Sequence, residues 1–449
     1  MNTQDRFAPY ALTVPEILIP RERDLSRWAV IACDQFTQDR DYWARAAKAV
    51  GNSPSTLNLI LPEVYLDDGD RAKRLEAIRA SMRSYLGDAS SSGIFADPVK
   101  GFAYIERKTA YGRTRRGLVA AIDLDAYDWR PDSTAPIRAT EATIVDRIPP
   151  RMEIRRGAPI ESPHIMLLVN DPGKTLIEGL GSRVSGRAPL YSTELMLGSG
   201  SIKGWTVDRE DDLAYAERAL AALAEAGTER SGPRAGTTFL FAVGDGNHSL
   251  ATAKAVWEEF RAAHRAEAER GAIDLERHPA RFALVELVNL YDEGLTFEPI
   301  HRVLFGVETA DLSAFLAKRL GGAVKPAKSA DELERLVSAH GETRFGFVST
   351  TGLCYLDTPN PALAVSRLQP ALDEYLAQRP DVKIDYIHGS DEVFRLGKES
   401  GAVSVLLPPV EKDSFFATIA SGGPLPRKSF SMGEASEKRF YLECRKLFS

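Results

Sequence analysis

The stretch Phe239-Leu-Phe-Ala-Val-Gly-Asp-Gly-Asn-His-Ser-Leu-Ala-Thr-Ala-Lys254 leaves the chain few ways to fold around it. Its apolar start reads as a buried strand and Gly244-Asp245-Gly246 as a turn. Leu250, Ala253, Val256, Trp257 and Phe260 then recur at helical spacing. A strand that feeds a glycine turn and then a helix leaves the first backbone N–H groups of that helix without intrahelical acceptors, at the positive end of its dipole. Such a turn suits a phosphate.

Three readings of the turn compete. Gly244-Asp-Gly-Asn-His-Ser249 approximates a dinucleotide fingerprint, which needs a second strand and an acidic residue about 20 residues on. The chain continues instead as charged helix through Ala262–Arg270, so that reading is weak. A nest made by the N–H groups of Asn247, His248 and Ser249 asks less of its context. The third is a tight strand-to-helix turn with Asp245 near the N-cap and no ligand. Elsewhere Gly173-Lys174-Thr175 suggests a P-loop, but Leu168 stands where that motif needs its first glycine.

Any such phosphate site must be local. Lys and Arg number 57 against 63 Asp and Glu, a net charge of -6, so no global field draws the chain to nucleic acid or an anionic membrane. Neither is expected as a partner, and a homodimer is compatible with the sequence. No apolar run approaches the roughly 18 residues of a membrane span, and the start lacks a signal-peptide pattern. Cys33, Cys354 and Cys444 are odd in number and scattered, which points to a reducing cytoplasm without a disulfide framework or a zinc cluster.

At 449 residues with 44% hydrophobic side chains, two or three domains are expected. The pattern of elements is α+β or mixed α/β. Residues 1–90 read as an N-terminal α/β segment, with a strand Trp28–Cys33 and helices Asp39–Lys48 and Asp70–Tyr85, the second capped by Asp70. Residues 91–305 form a central domain with a hairpin of Phe102–Lys108 and Leu118–Leu124. A strand His164–Val169 follows, then a loop Gly179–Pro189, and Arg281–Leu290 and Leu295–Phe305 read as strands meeting in a second hairpin. Residues 306–449 alternate helix and strand as a separate α/β layer. Gly87–Gly93 is the first boundary loop.

Ile137–Arg156 is the other chemically dense segment. Thr140 or Thr143 caps a short helix that Pro149-Pro150 must end, and Arg147, Arg151 and Arg155 follow at helical spacing. These arginines are either phosphate-binding forks or a solvated basic edge. His164 is a metal ligand or a hydrogen-bonded residue at a strand start. His301 and Arg302 follow Pro299 on a strand, where neighbouring side chains alternate faces. Lys438-Arg439 reads as a surface patch, with a phosphate contact as the other reading.

Gly244–Lys254, Cys33-Asp-Gln-Phe-Thr37, Arg138-Ala-Thr-Glu141, Phe297-Glu-Pro-Ile-His-Arg302 and Pro426-Arg-Lys-Ser-Phe-Ser-Met-Gly433 together resemble the bacterial family called domain of unknown function 1015, over nearly the whole chain. The strand–Asp-Gly-x-His–helix element also resembles the nucleotide-binding box of the ParB/sulfiredoxin group, which includes CTP-binding partition proteins, ATP-using sulfiredoxins and kinases of free serine. This resemblance implies a ParB/sulfiredoxin-like core with an added N-terminal segment and a C-terminal α/β domain. Those proteins carry an arginine where this chain has Ser249, so Arg147, Arg151 or Arg302 is expected to replace that contact.

The function expected is phosphoryl transfer from ATP or another nucleoside triphosphate, with Mg2+, to a small hydroxylated metabolite such as a free amino acid. Gly244, Gly246, Asn247 and Ser249 would cradle phosphates with Arg147, Arg151, Arg155, His301 and Arg302. Glu141, Asp245 and His248 would be catalytic, Glu141 taking the hydroxyl proton and Asp245 holding Mg2+. Two alternatives stand beside it: a non-catalytic nucleotide-binding regulator of the ParB type, and a metal-dependent hydrolase using His164 and His248.

Overall fold

A ten-stranded mixed sheet carries the first of two units. Its order is 191–194, 201–207, 102–108, 114–123, 282–289, 166–169, 241–245, 137–139 and 127–128, with Leu12–Thr13 also pairing Thr114–Asp123. The computed structural model describes residues 6–88, 92–230, 234–339, 341–360 and 362–448, without the Arg147 side chain. Part of the Gly87–Gly93 loop, residues 89–91, lies outside the described residues. The fold class is mixed α/β.

The first unit comprises Met1–Ala139, Thr143–Leu295 and Glu434–Ser449, and the second Thr140–Ala142 and Thr296–Gly433. The central strands of the first are apolar on both faces: Leu118–Ile122, Ala283–Val285 and Met166–Val169 are all buried, as a sheet covered on two sides requires. The second unit has its own six-stranded sheet, ordered 323–327, 352–357, 344–349, 402–406, 301–305 and 383–387. Among the described residues no helix is long and apolar enough to cross a membrane.

Several local expectations change. Phe282–Asn289 and His301–Phe305 do not form a hairpin, because the first pairs with Thr114–Asp123 and Met166–Val169 in the large sheet and the second with Ala402–Leu406 and Lys383–Ile387 in the other. Pro149-Pro150 do not end a helix. They sit in the first turn of Ile148–Arg155, where a missing N–H costs nothing, so they start it. Asp70 stands at the N-cap of Arg71–Leu86 but makes no capping hydrogen bond there. Its carboxylate takes Arg74 Nε at 2.8 Å instead.

Candidate functional site

The strand Phe241–Asp245 reaches its turn through a bulge. Met166 lies opposite Asp245 while Leu167 lies opposite Val243, which leaves Gly244 as the extra, unpaired residue and bends the strand end. Gly246 follows in the left-handed region at φ 81°, and a Cβ on it would lie 3.1 Å from Ile165. Both conditions select glycine. Gly246 N–H donates to Asp245 Oδ1 at 3.0 Å, and the helix Asn247–Ala263 begins.

At the head of that helix each side chain has a definite surrounding. Lys438 Nζ lies 3.4 Å from Asp245 Oδ2, both largely shielded from solvent, so Lys438 is not a surface residue. Arg439 beside it is buried among Glu286 and Glu443. His248 Nε2 accepts the Ile144 N–H at 3.3 Å. Asn247 Oδ1 is buried without a hydrogen-bond partner. Ser249 Oγ lies 2.9 Å from His164 Nε2, whose Nδ1 lies 2.8 Å from the Tyr441 hydroxyl. Tyr441 in turn donates to Cys33 Sγ at 3.0 Å.

Beside this chain of hydrogen bonds is a cavity of about 140 Å³, lined by Ser249, Thr252, His164, Tyr441 and Cys33 together with Arg151 and Arg155. The helix Ile148–Arg155 sets Arg151 and Arg155 four residues apart, on one face. Arg151 pairs with Glu63, and Arg155 Nη2 pairs with Glu161 at 2.6 Å. Burial alone would raise the Glu161 carboxyl, but Arg155 and Arg445 together hold it below the usual range. Burial beside Asp34 raises the Cys33 thiol, so it stays protonated. Among the described residues no three His, Cys, Asp or Glu side chains gather as a metal cluster.

Glu141, His301 and Arg302 belong to the second unit, and Arg147 to the first. Glu141 bridges to Leu425 and accepts the Ser429 N–H at 3.4 Å. His301 is buried, its Nδ1 accepts the Leu407 N–H at 3.1 Å, and burial, aided by Arg302, lowers it to about 4. Arg302 is fully buried over the Tyr386 ring, donating to Gln369 Oε1 at 3.0 Å and to the Ile300 carbonyl. The Arg147 backbone lies in the short turn Val145–Arg147, and its side chain is outside the described part.

Sequence reasoning placed His164 at a strand start but found neither Ser249 nor Tyr441 as its partners. Tyr441 comes from the C-terminal segment, whose strand Phe440–Tyr441 pairs with Val30–Ile31, and no local pattern marks that pairing.

A family model described as Protein of unknown function (DUF1015) matches residues 16–375. The chain belongs to this family. Among solved structures, the DUF1015 chain is similar to a conserved hypothetical protein from Pyrococcus furiosus, at 11% identity and TM-score 0.35, covering 74% of this chain and 95% of that one. It is similar to a free serine kinase variant in complex with AMP, at 11% identity and TM-score 0.38, over 73% of this chain and 92% of that one. It is also similar to a C-terminally truncated SbnI from Staphylococcus aureus, at 9% identity and TM-score 0.34, over 70% and 83%. No curated protein matches the chain.

Proposed function

We propose that this DUF1015 protein binds a nucleoside triphosphate at the head of the helix Asn247–Ala263 and transfers its phosphate to a small hydroxylated metabolite. The observation that carries the reading is Gly246, left-handed and with Ile165 3.1 Å from where a Cβ would lie, which starts a helix whose first amides have no acceptor within it. Asn247 Oδ1, buried and unpartnered, and the Lys438 ammonium add a polar group and a cation at the same turn. The Asp-Gly-x-His order resembles the ParB/sulfiredoxin nucleotide-binding box and supports the same assignment.

Mg2+ would be held by Asp245 together with phosphate oxygens, since this ion commonly uses one or two carboxylates and keeps several waters. It would neutralise charge on the transferred group. The chain's own residues orient the phosphates through the helix-head amides and His248. Titration calorimetry with ATP and CTP on His248→Ala tests the reading. A loss of about tenfold in affinity is expected for one lost polar contact, and unchanged affinity for both nucleotides sinks it.

A further inference from the structure

The hydrogen bonds at Ser249 run on through an imidazole, a phenol and a thiol. The Cys33 N–H donates to the Tyr441 oxygen at 3.3 Å, and the Tyr441 hydroxyl spends its one hydrogen on Cys33 Sγ at 3.0 Å. The phenol oxygen also lies 2.8 Å from His164 Nδ1 and can accept a hydrogen from it. In the tautomer with the imidazole hydrogen on Nδ1, donated to that phenol oxygen, the Nε2 lone pair faces Ser249 Oγ at 2.9 Å. Asp34 Oδ2, 3.6 Å from Nε2, stands ready to stabilise an imidazolium. A serine hydroxyl on an imidazole base, itself oriented by a third group, is the arrangement of an activated nucleophile.

We propose that Ser249 is a nucleophile and His164 its general base, in a cavity that accepts small aliphatic carboxylic esters. In the first step Ser249 Oγ bonds to the acyl carbon while its proton passes to His164 Nε2. The carbon–alkoxy bond then breaks, and the alcohol leaves with that proton. Water attacks the acyl-serine and gives a proton to His164. The acyl–Oγ bond breaks, the carboxylic acid departs, and the serine oxygen recovers its proton from His164.

The cavity sets the substrate class. At about 140 Å³ it has room for a chain of a few carbons, and Leu59, Leu61, Met82, Ile154 and Leu447 line it. The charges of Arg151 and Arg155 are answered by Glu63 and Glu161, so its walls favour an uncharged acyl group.

The test uses the full chain, p-nitrophenyl butyrate as substrate and diisopropyl fluorophosphate as label, with the adduct located by peptide mass mapping. Labelling of the peptide that contains Ser249 is expected, together with a loss of at least about 100-fold in ester hydrolysis in Ser249→Ala and His164→Ala. Tyr441→Phe, which removes the acceptor for Nδ1–H, should fall between these variants and the wild type. No adduct, an adduct elsewhere, or wild-type hydrolysis by Ser249→Ala overturns the proposal. The labelling is read on the unmodified chain, so it decides even where a variant folds poorly.

Discussion

Lys438 places its ammonium 3.4 Å from the Asp245 carboxylate, at the turn where the helix Asn247–Ala263 begins. The pair couples the C-terminal segment to the glycine turn and sets a cation beside the amides proposed to receive phosphate. Lys438→Met should therefore weaken ATP binding about tenfold or more while leaving the far-ultraviolet circular dichroism unchanged. Asp245→Asn should do the opposite without Mg2+, since it frees the ammonium for the anion, and should weaken binding when Mg2+ is present. Calorimetry with and without the metal separates the two arms.

Gly246→Ala should destabilise the first unit and impair nucleotide binding together. A left-handed alanine costs about 1–2 kcal/mol, and its Cβ would press against Ile165 at 3.1 Å. Gly112 is also left-handed, at φ 78°, but a Cβ there meets nothing within 4 Å. Gly112→Ala should show the stability cost without the binding loss. Urea unfolding gives the first quantity and calorimetry the second.

The strand–turn–helix was legible because its signals are local: an apolar run, two glycines and a helical period, all between Phe239 and Phe260. The helices and strands from Thr309 to Gly422 were legible for the same reason, apart from the exposed strand Ala323–Ala327, whereas the short strands Phe430–Met432, Phe440–Tyr441 and Arg445–Lys446 were not. What failed was whatever distant packing decided. Gly179 and Gly181 read as loop, yet both lie in the helix Ile177–Val184, where a Cβ would collide with Tyr215 and Tyr104 respectively. They are glycines of close approach. Lys438-Arg439 read as surface because charge was weighed without its partners; Glu443 is four residues on, but Glu286 is 153 residues away and no periodicity connects it to Arg439.

Arg439 is the centre of that buried network. It is 1% exposed, and its guanidinium donates to Glu286 at 2.6 Å, to the Pro163 carbonyl at 3.1 Å and to Glu443 at 2.5 Å. Arg439→Met leaves Glu443 without this partner and Glu286 with Arg115 alone. Removing one member of a buried ionic set costs about 3–5 kcal/mol. A fall of that size in urea unfolding, with the last residues becoming sensitive to carboxypeptidase, is the expected result. Arg439→Met combined with Glu443→Leu should recover part of the loss, because no unpaired carboxylate then stays buried at that end.

Glu342 gives the second unit a pH dependence of definite sign. Its carboxylate accepts the N–H groups of Glu411, at 2.8 Å, and Ala364, but burial outweighs them and pushes the carboxyl up to about 7 from an ordinary 4.5. Between those values the folded state keeps a proton that the unfolded chain has lost. The stabilisation is thus complete below pH 4.5 and is lost as pH rises through 7. A shift of this size corresponds to a ceiling of about 3 kcal/mol. Glu342→Gln forfeits one of the two acceptors and should be less stable than wild type at pH 5. It carries no charge to desolvate, so its stability should stay flat from pH 5 to 8 while that of the wild type declines. Urea midpoints across that range, followed by the fluorescence of a Trp introduced at Tyr355, check it, since the five natural tryptophans all lie before residue 258. Parallel slopes for the two proteins would remove Glu342 as the titrating group.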